Sequence, residues 1–466
     1  MNTSSSYNIA IIGAGFSGSL VATHLLRLAQ PPFALALFER SAPQLGRGVA
    51  YSTAVDCHLL NVPAANMSAF PDEPEHFLRW AQQQGNSLLN PPWVAAVTPA
   101  SFLPRRAYGD YLGSVLEQAQ QAAEPGVCLA RKIDEVVGIQ VDRSGATLRL
   151  GHGETLHAQR VVLALGNFHP GDPSVDDPSF YQSPRYYGDP WAPEALTAVA
   201  ATDSCLLIGA GLTMVDWAIA LAQAGYRGKI HAVSRRGLWP KAHRASEPVP
   251  FDIDLEGSPL TVRGLLRQIR RQIQTRAGGN VDWRSVIDSL RPYNPRIWQQ
   301  LPQPEQRRFL RHVRPYWDCH RHRLAPSVAE RIQALTESGQ LIRHAGRIQG
   351  YRDSGSHVVT TIRERGVNRT KTVLADAVVN CSGSESDYRK LDSPLVCDLL
   401  RQGLGCPDPL SLGLNVDLNG ALIDASGNPS DYLFTLGPPQ KGVFWETTAV
   451  PEIRMQAARL ASLLLE

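Results

Sequence analysis

The chain has 466 residues, enough for two or three domains. At 43% hydrophobic and 19% charged residues it has the composition of a soluble folded protein, which excludes disorder. Its 46 basic and 43 acidic side chains leave a net charge of only +3, which excludes a general nucleic-acid binder.

The opening "MNTSSSYN" lacks the basic-then-apolar pattern of a secretory signal. No apolar run reaches the roughly 18 residues of a membrane span. The seven cysteines (Cys57, Cys128, Cys205, Cys319, Cys381, Cys397 and Cys406) form no Cys-x-x-Cys pair. No disulfide framework and no metal site is expected, and the thiols suit a reducing cytoplasm. The missing pair also argues against a thiol–disulfide reductase, which needs a redox couple beside its flavin.

"YNIAIIGAGFSG" predicts a short β-branched strand, then Gly13, Gly15 and Gly18 at the dinucleotide spacing. Gly13 permits a tight turn, Gly15 lets a pyrophosphate approach the backbone, and Gly18 lets the next helix pack on the strand. That helix, Ser17–Leu28, carries Leu20, Val21, His24, Leu25 and Leu28 on one face, with its N-terminal N–H groups toward the phosphates. A second strand, "FALALFER", ends in Glu39, 21 residues beyond Gly18, where an acid bonds ribose hydroxyls. Gly13, Gly15, Ser17, Gly18, Glu39 and Arg40 are therefore candidates for one adenine dinucleotide; a glycine-rich loop followed by an ordinary glutamate is the alternative.

"RVVLALGNFHP" is an apolar strand ending at Gly166, of the kind that links two domains. "CLLIGAGLTMVDWAIAL" then repeats the opening plan, with Gly209, Gly211, Leu212 and Thr213 at the turn. Met214 stands where the packing glycine belongs, so a wider helix–strand spacing around an intact anion cradle is expected. The following strand, "KIHAVSRRG", ends in Ser234, Arg235 and Arg236 instead of an acid. Guanidinium groups there favour the 2′-phosphate of NADPH, with NADH possible; two solvated arginines are the alternative. Two nucleotide sites in one chain fit hydride transfer from a nicotinamide to a flavin, with FAD in the first site and the exchangeable reductant in the second.

Residues 261–323 hold fourteen arginines and four acids, Asp282, Asp288, Glu305 and Asp318. They read as amphipathic helices broken by prolines. Either they form a solvated basic face, or they present Arg291, Arg314, Trp317, Arg321 and His322 to an anionic substrate or to nucleotide phosphates. "DAVVNCSGSESDY" repeats the strand-and-glycine crossing at Gly383. The last segment runs through a strand to Gly437 and Pro438, past Trp445, into a helix at Pro451. The dipole of that helix would stabilise an anionic reduced flavin.

The fold class is thus α/β, with two Rossmann-like dinucleotide-binding domains. Residues 1–170 and 346–466 form a discontinuous FAD domain. Residues 171–260 and 324–345 form an inserted NAD(P) domain, and 261–323 form the helical Arg-rich insert.

The segments "GAGFSG", "GRGVAYS", "HLLNVPAANMSAFPDEPEHFLRWA", "FLPRRAYGDYL", "VSRRGL" and "GPPQKGVFWETTAVPEIR" resemble bacterial FAD/NAD(P)-binding proteins of the YdhS-like type, over essentially the whole chain. That group is similar to the flavin-dependent N-hydroxylating monooxygenases, which include urate hydroxylase-like and amino-acid N-monooxygenase-like members. The resemblance implies that Arg105 and Tyr108 lie by FAD, that Asn66, Met67 and Ser68 adjoin the isoalloxazine, and that His58, Leu60 and Asn61 line the flavin cavity. Ser68 stands where relatives carry glutamine. The Lys and Asn pattern that binds ornithine has no match.

What the resemblance implies for function is an FAD-dependent, NAD(P)H-using monooxygenase. It would hydroxylate a small polar or anionic molecule, an amino acid or similar, through a flavin C4a-hydroperoxide, with dioxygen as co-substrate and no nucleic-acid or membrane partner. Two alternatives stay open. One is an NAD(P)H-dependent flavin oxidoreductase without oxygen insertion; the other is a flavin-binding sensor whose second site is vestigial, as Met214 would allow.

Overall fold

The computed structural model describes residues 6–85, 96–245, 249–250, 253–255, 259–276 and 282–466. They fall into two units, Met1–Asp56 with Val62–Phe168 and Ser386–Glu466, and Cys57–Asn61 with His169–Glu385.

The first unit begins with β1 (Ser6–Ile12), whose last four residues are buried. Such an unbroken apolar run marks a strand covered on both faces. β1 lies parallel between β2 (Phe33–Glu39) and β6 (Thr155–Leu163), and β3 (Val127–Ile133) pairs outside β2. A hairpin of β4 (Val136–Asp142) and β5 (Gly145–Leu150) joins β6 antiparallel. The register sets Ile12 beside both Phe38 and Leu163. Three strands therefore end together, and the loops after them converge at one sheet edge.

Helix α1 (Phe16–Leu28) is buried at every position from Phe16 to Leu26. The single apolar face expected from its spacing is thus only part of its packing. Besides the sheet it contacts α2 (Arg105–Gln121) and the C-terminal helix at Val450–Leu465. Leu28, expected on the apolar face, is exposed.

The second unit holds β7 (Tyr186–Tyr187), β8 (Ser204–Ile208), β9 (Lys229–Ser234), β10 (Leu341–Asp353), β11 (Val358–Glu364), β12 (Thr370–Ala375) and β13 (Ala377–Asn380). Their order is β7-β13-β8-β9-β10-β11-β12. Pairing is parallel from β7 to β10 and antiparallel beyond it. Helix α3 (Leu212–Gln223) follows β8. Residues 346–385, assigned from sequence to the first domain, fold with the second: β10 runs on past Ala345 to pair with β11, and β13 pairs with β8. The single long β10, whose first part pairs with β9 and second with β11, carries the chain across the expected boundary.

The arginine-rich stretch belongs to this unit too. It forms helices Val262–Arg276, Trp283–Ser289, Asn294–Gln300, Gln303–Arg308 and Arg314–Arg321. They gather around Val286, Ile287 and Leu290, with Ile269, Ile273, Ile297 and Trp317 against that core. The amphipathic reading of this stretch is realised as a small apolar centre under a basic surface.

The chain then returns to the first unit as β14 (Ala421–Ile423), β15 (Pro429–Thr435) and α4 (Val450–Leu465). β15 pairs parallel with β6, Thr435 beside Leu163, so a fourth strand ends at the same edge.

Candidate dinucleotide sites

The first glycine turn sits on the converged strand ends. Gly13 has φ +100°, and its N–H donates to the Phe38 carbonyl at 2.9 Å. A Cβ added there would stand 2.4 Å from the Ala164 carbonyl oxygen. At Gly18 a Cβ would meet the Gly13 carbonyl oxygen at 1.9 Å, so this glycine sets the approach of helix to turn. Gly15 is the N-cap of α1 and offers no side-chain cap. The first N–H groups of that helix therefore face outward for an anion.

At the end of β2, Glu39 is buried. Its Oε2 accepts from the Ala14 N–H at 3.1 Å and its Oε1 from the Ser41 N–H at 3.2 Å. Burial raises its pKa above the ordinary carboxylate value, and the backbone N–H bonds oppose the rise. The sequence read Glu39 as a ribose ligand; the same carboxylate also clamps the glycine turn.

A groove opens over this edge. Gly13, Gly15, Ser17, Glu39, Arg40, Gly166 and Pro438 line it, as do Gln44, Arg47, Gly48, Tyr51, Asp134, Glu135 and Thr448, which sequence reasoning did not assign. Three of these came from "GRGVAYS", a motif with no role attached to it. Gly48 has φ +61°, and its Cβ position lies 3.0 Å from the Gly15 Cα, so two glycines face each other under the groove. Arg47 pairs with Asp110 of α2 at 2.7 Å.

Other candidates stand behind the groove. Gly18 packs helix on strand. Tyr108 is fully buried, its ring 4.7 Å from Tyr51 and 6.0 Å from Phe16, both lining residues. The Tyr108 hydroxyl is buried with no hydrogen-bond partner among the described residues, and burial pushes its pKa well up. Arg105 opens α2; it opposes the burial that pushes the Tyr51 phenol up to about 12. Gly437, at φ +75°, donates its N–H to Gln456 Oε1 at 2.9 Å. Trp445 takes the left-handed conformation at φ +62° with the Lys441 ammonium 5.2 Å from its ring. Pro451 lies in the first turn of α4, and its neighbours Thr448 and Ile453 line the groove.

The second turn repeats the backbone bond of the first. Gly209 has φ +115° and donates to the Val233 carbonyl at 2.8 Å. A Cβ there would lie 2.3 Å from the Cys381 carbonyl oxygen. Gly211 caps α3 at φ −90° and ψ −163°, against −74° and −163° for Gly15. Met214 is fully buried, yet the cap conformation is kept. Leu212 and Thr213 open the helix. Gly383 lies in this unit, just past the strand that packs on Gly209.

Ser234, at the end of β9, accepts from the Gly237 N–H at 3.0 Å. Arg235 is exposed, and its guanidinium holds its proton less tightly than usual, first through partial burial and then through Arg314, Arg347 and Arg236. Arg236 donates to the Tyr316 hydroxyl at 3.4 Å and to the Arg311 carbonyl at 3.3 Å. The end of β9 is thus a cationic rim. Arg314, expected to face an anionic substrate or nucleotide phosphates, stands at this rim and pairs with Asp318 at 3.5 Å.

Asn61 and His58 belong to the second unit; the His58 ring meets Trp191 edge-on at 5.9 Å, and Leu60 is buried. Asn66 is exposed and Met67 buried. The Ser68 hydroxyl donates to the Glu73 carbonyl at 2.6 Å and accepts from the Phe70 N–H at 3.1 Å, tying its own loop. Arg291 starts a short 3-10 turn, Trp317 packs on the insert's core, Arg321 ends its helix, and His322 lies 3.9 Å from Asp318.

Residues 10–168 match a family model described as FAD-NAD(P)-binding, so the first unit carries an FAD/NAD(P)-binding module. No curated protein matches the chain. Among solved structures, the ornithine hydroxylase of Pseudomonas aeruginosa is similar at 14% identity and TM-score 0.65, with 99% of each chain covered. The ornithine N-hydroxylase of Kutzneria sp. 744, solved with reduced FAD, NADP+ and L-ornithine, is similar at 12% identity and TM-score 0.60, covering 98% of this chain and 99% of that one. The bacillithiol disulfide reductase of Staphylococcus aureus is similar at 12% identity and TM-score 0.57, covering 99% and 98%. At these identities the likeness establishes the fold: α/β, with Rossmann-like FAD/NAD(P) domains.

Proposed function

We propose that the chain is an FAD-dependent monooxygenase that uses NADPH to hydroxylate a small polar or anionic molecule. The observation that carries this reading is the pair of matched glycine turns, one ending in a buried carboxylate and the other in an arginine rim. FAD, when bound, supplies the hydride acceptor and the oxygen-transferring centre. The residues of the first groove fit it. The first N–H groups of α1 would take the pyrophosphate, Glu39 the ribose, and the N-terminus of α4 would offer its positive end to the pyrimidine ring. At the second turn, Gly209 and Gly211 would admit the NADPH pyrophosphate, and Arg235 and Arg236 its 2′-phosphate.

Two structural neighbours are hydroxylases, which favours oxygen insertion. The reductase neighbour favours a second reading, electron transfer without insertion. The absence of any Cys-x-x-Cys pair weighs against a dithiol version of it. The matched cap conformations of Gly15 and Gly211 weigh against a vestigial second site. Oxygen uptake driven by NADPH over a panel of amino acids and purines tests the proposal. A product heavier by one oxygen is expected with at least one compound; hydrogen peroxide alone throughout would favour the second reading.

Glu39→Ala is expected to weaken FAD retention roughly tenfold, the worth of one charge-assisted hydrogen bond. Flavin released on dialysis measures this, and full retention would confine Glu39 to bracing the turn.

A further inference from the structure

Among the described residues, Arg323 stands apart from the fourteen-arginine stretch it closes. Its side chain is 2% exposed, whereas surface guanidiniums keep their heads in water. Its Nη2 reaches Asp288, whose own side chain is 45% exposed. Its Nε and Nη1 are buried with no hydrogen-bond partner among the described residues. A buried charge with unmet donors costs more than one ion pair returns. Such a group is retained when something else completes it.

The surroundings are cationic. Arg284 is held by the Ala242 carbonyl at 2.9 Å and by Asp282 at 2.6 Å, so Asp282 is already engaged. Arg321 and Arg284 both act on Arg323, and Asp288 opposes them. His243 lies alongside and donates from Nε2 to the Asn61 carbonyl at 2.9 Å. Burial, then Arg323, hold the His243 imidazole down to about 4, so at neutral pH it adds no charge. The backbone around these groups is fixed: His243 N–H donates to the Leu324 carbonyl, and Leu324 N–H to the Lys241 carbonyl, each at 2.8 Å.

We propose that Arg323 is the anchor for a carboxylate group of a small-molecule ligand, bound within the second unit beside His243 and the Asn61 carbonyl. A guanidinium with two unfilled donors in a water-poor setting suits a planar carboxylate. It rests on the proposed function only in identifying that ligand with the substrate. The reaction would then act on carboxylic acids, amino acids among them, and spare their amides.

The test is calorimetric titration of the flavin-loaded protein with acetate, succinate, L-aspartate, L-glutamate and inorganic phosphate, with acetamide and succinamide as uncharged controls. At least one carboxylate is expected to bind and the amides not. Arg323→Gln should weaken that binding roughly 10- to 100-fold. Asp288→Asn, which removes the competing acid from a half-exposed position, should leave it unchanged or tighter. Arg323→Lys, keeping the charge but not the planar donors, should fall between. No carboxylate binding, phosphate binding alone, or equal binding by wild type and Arg323→Gln would overturn the proposal. The absorbance of the flavin, recorded on each sample, reports on the proposed function separately: a protein without flavin would sink that reading and leave the titration result standing.

Discussion

Gly18→Ala should purify colourless. The added Cβ would sit 1.9 Å from the Gly13 carbonyl oxygen and 3.1 Å from a methyl of Ile11, both in rigid strand and turn. No flexible side chain can absorb the clash, so α1 must move off β1. Its N-terminal N–H groups then leave the position where the Gly13 turn and Glu39 aim them. Overpacking at such a site costs about 1–3 kcal/mol of stability, and the larger effect falls on the cofactor, which loses its pyrophosphate contacts together. The comparison variant is Gly350→Ala. Gly350 has no atom within 4 Å of its Cβ position, no positive φ, and lies in β10 of the second unit, so flavin content should stay at the wild-type level there. The ratio of flavin to protein absorbance reads both. A Gly18→Ala protein with full flavin would show that the closeness of helix and turn does not matter for binding.

Arg235→Ala should remove the preference for NADPH over NADH. Arg235 is exposed and stands among Arg236, Arg314 and Arg347, whose mutual repulsion is relieved by a dianionic phosphate. Arg236 is less clean, since it also braces Tyr316 and the Arg311 carbonyl. The expected loss is roughly 10- to 100-fold in the apparent affinity for NADPH with little change for NADH. The double variant Arg235→Ala/Arg236→Ala should lose no more selectivity than the phosphate supplies. Steady-state kinetics with each nucleotide measures this, and an unchanged ratio would place the 2′-phosphate elsewhere.

Both glycine turns were legible in the sequence because they rest on local stereochemistry. A left-handed residue and a close helix demand glycine wherever they occur. Glu39 and Ser234 were legible for a related reason: strand length fixes where the next loop begins. What failed was non-local. The expected boundary at 345/346 broke because β10 is a single long strand with two different partners, and nothing in its thirteen residues announces the change. Tyr108 and Ser68 were called by motif, but their neighbours are tertiary: an aromatic cluster with Tyr51 and Phe77 for one, a loop closed by Glu73 for the other. Arg323 was hidden among fourteen arginines, because burial, which sets it apart, is a property of the fold.

The central claim is that two dinucleotides bind one chain and exchange a hydride. Anaerobic mixing of the purified protein with NADPH, followed by the visible flavin band, tests it most directly. The account predicts a yellow protein whose band bleaches with NADPH and more slowly with NADH. A protein that carries flavin but is never bleached by either nucleotide, or one that cannot be loaded with flavin at all, would contradict it.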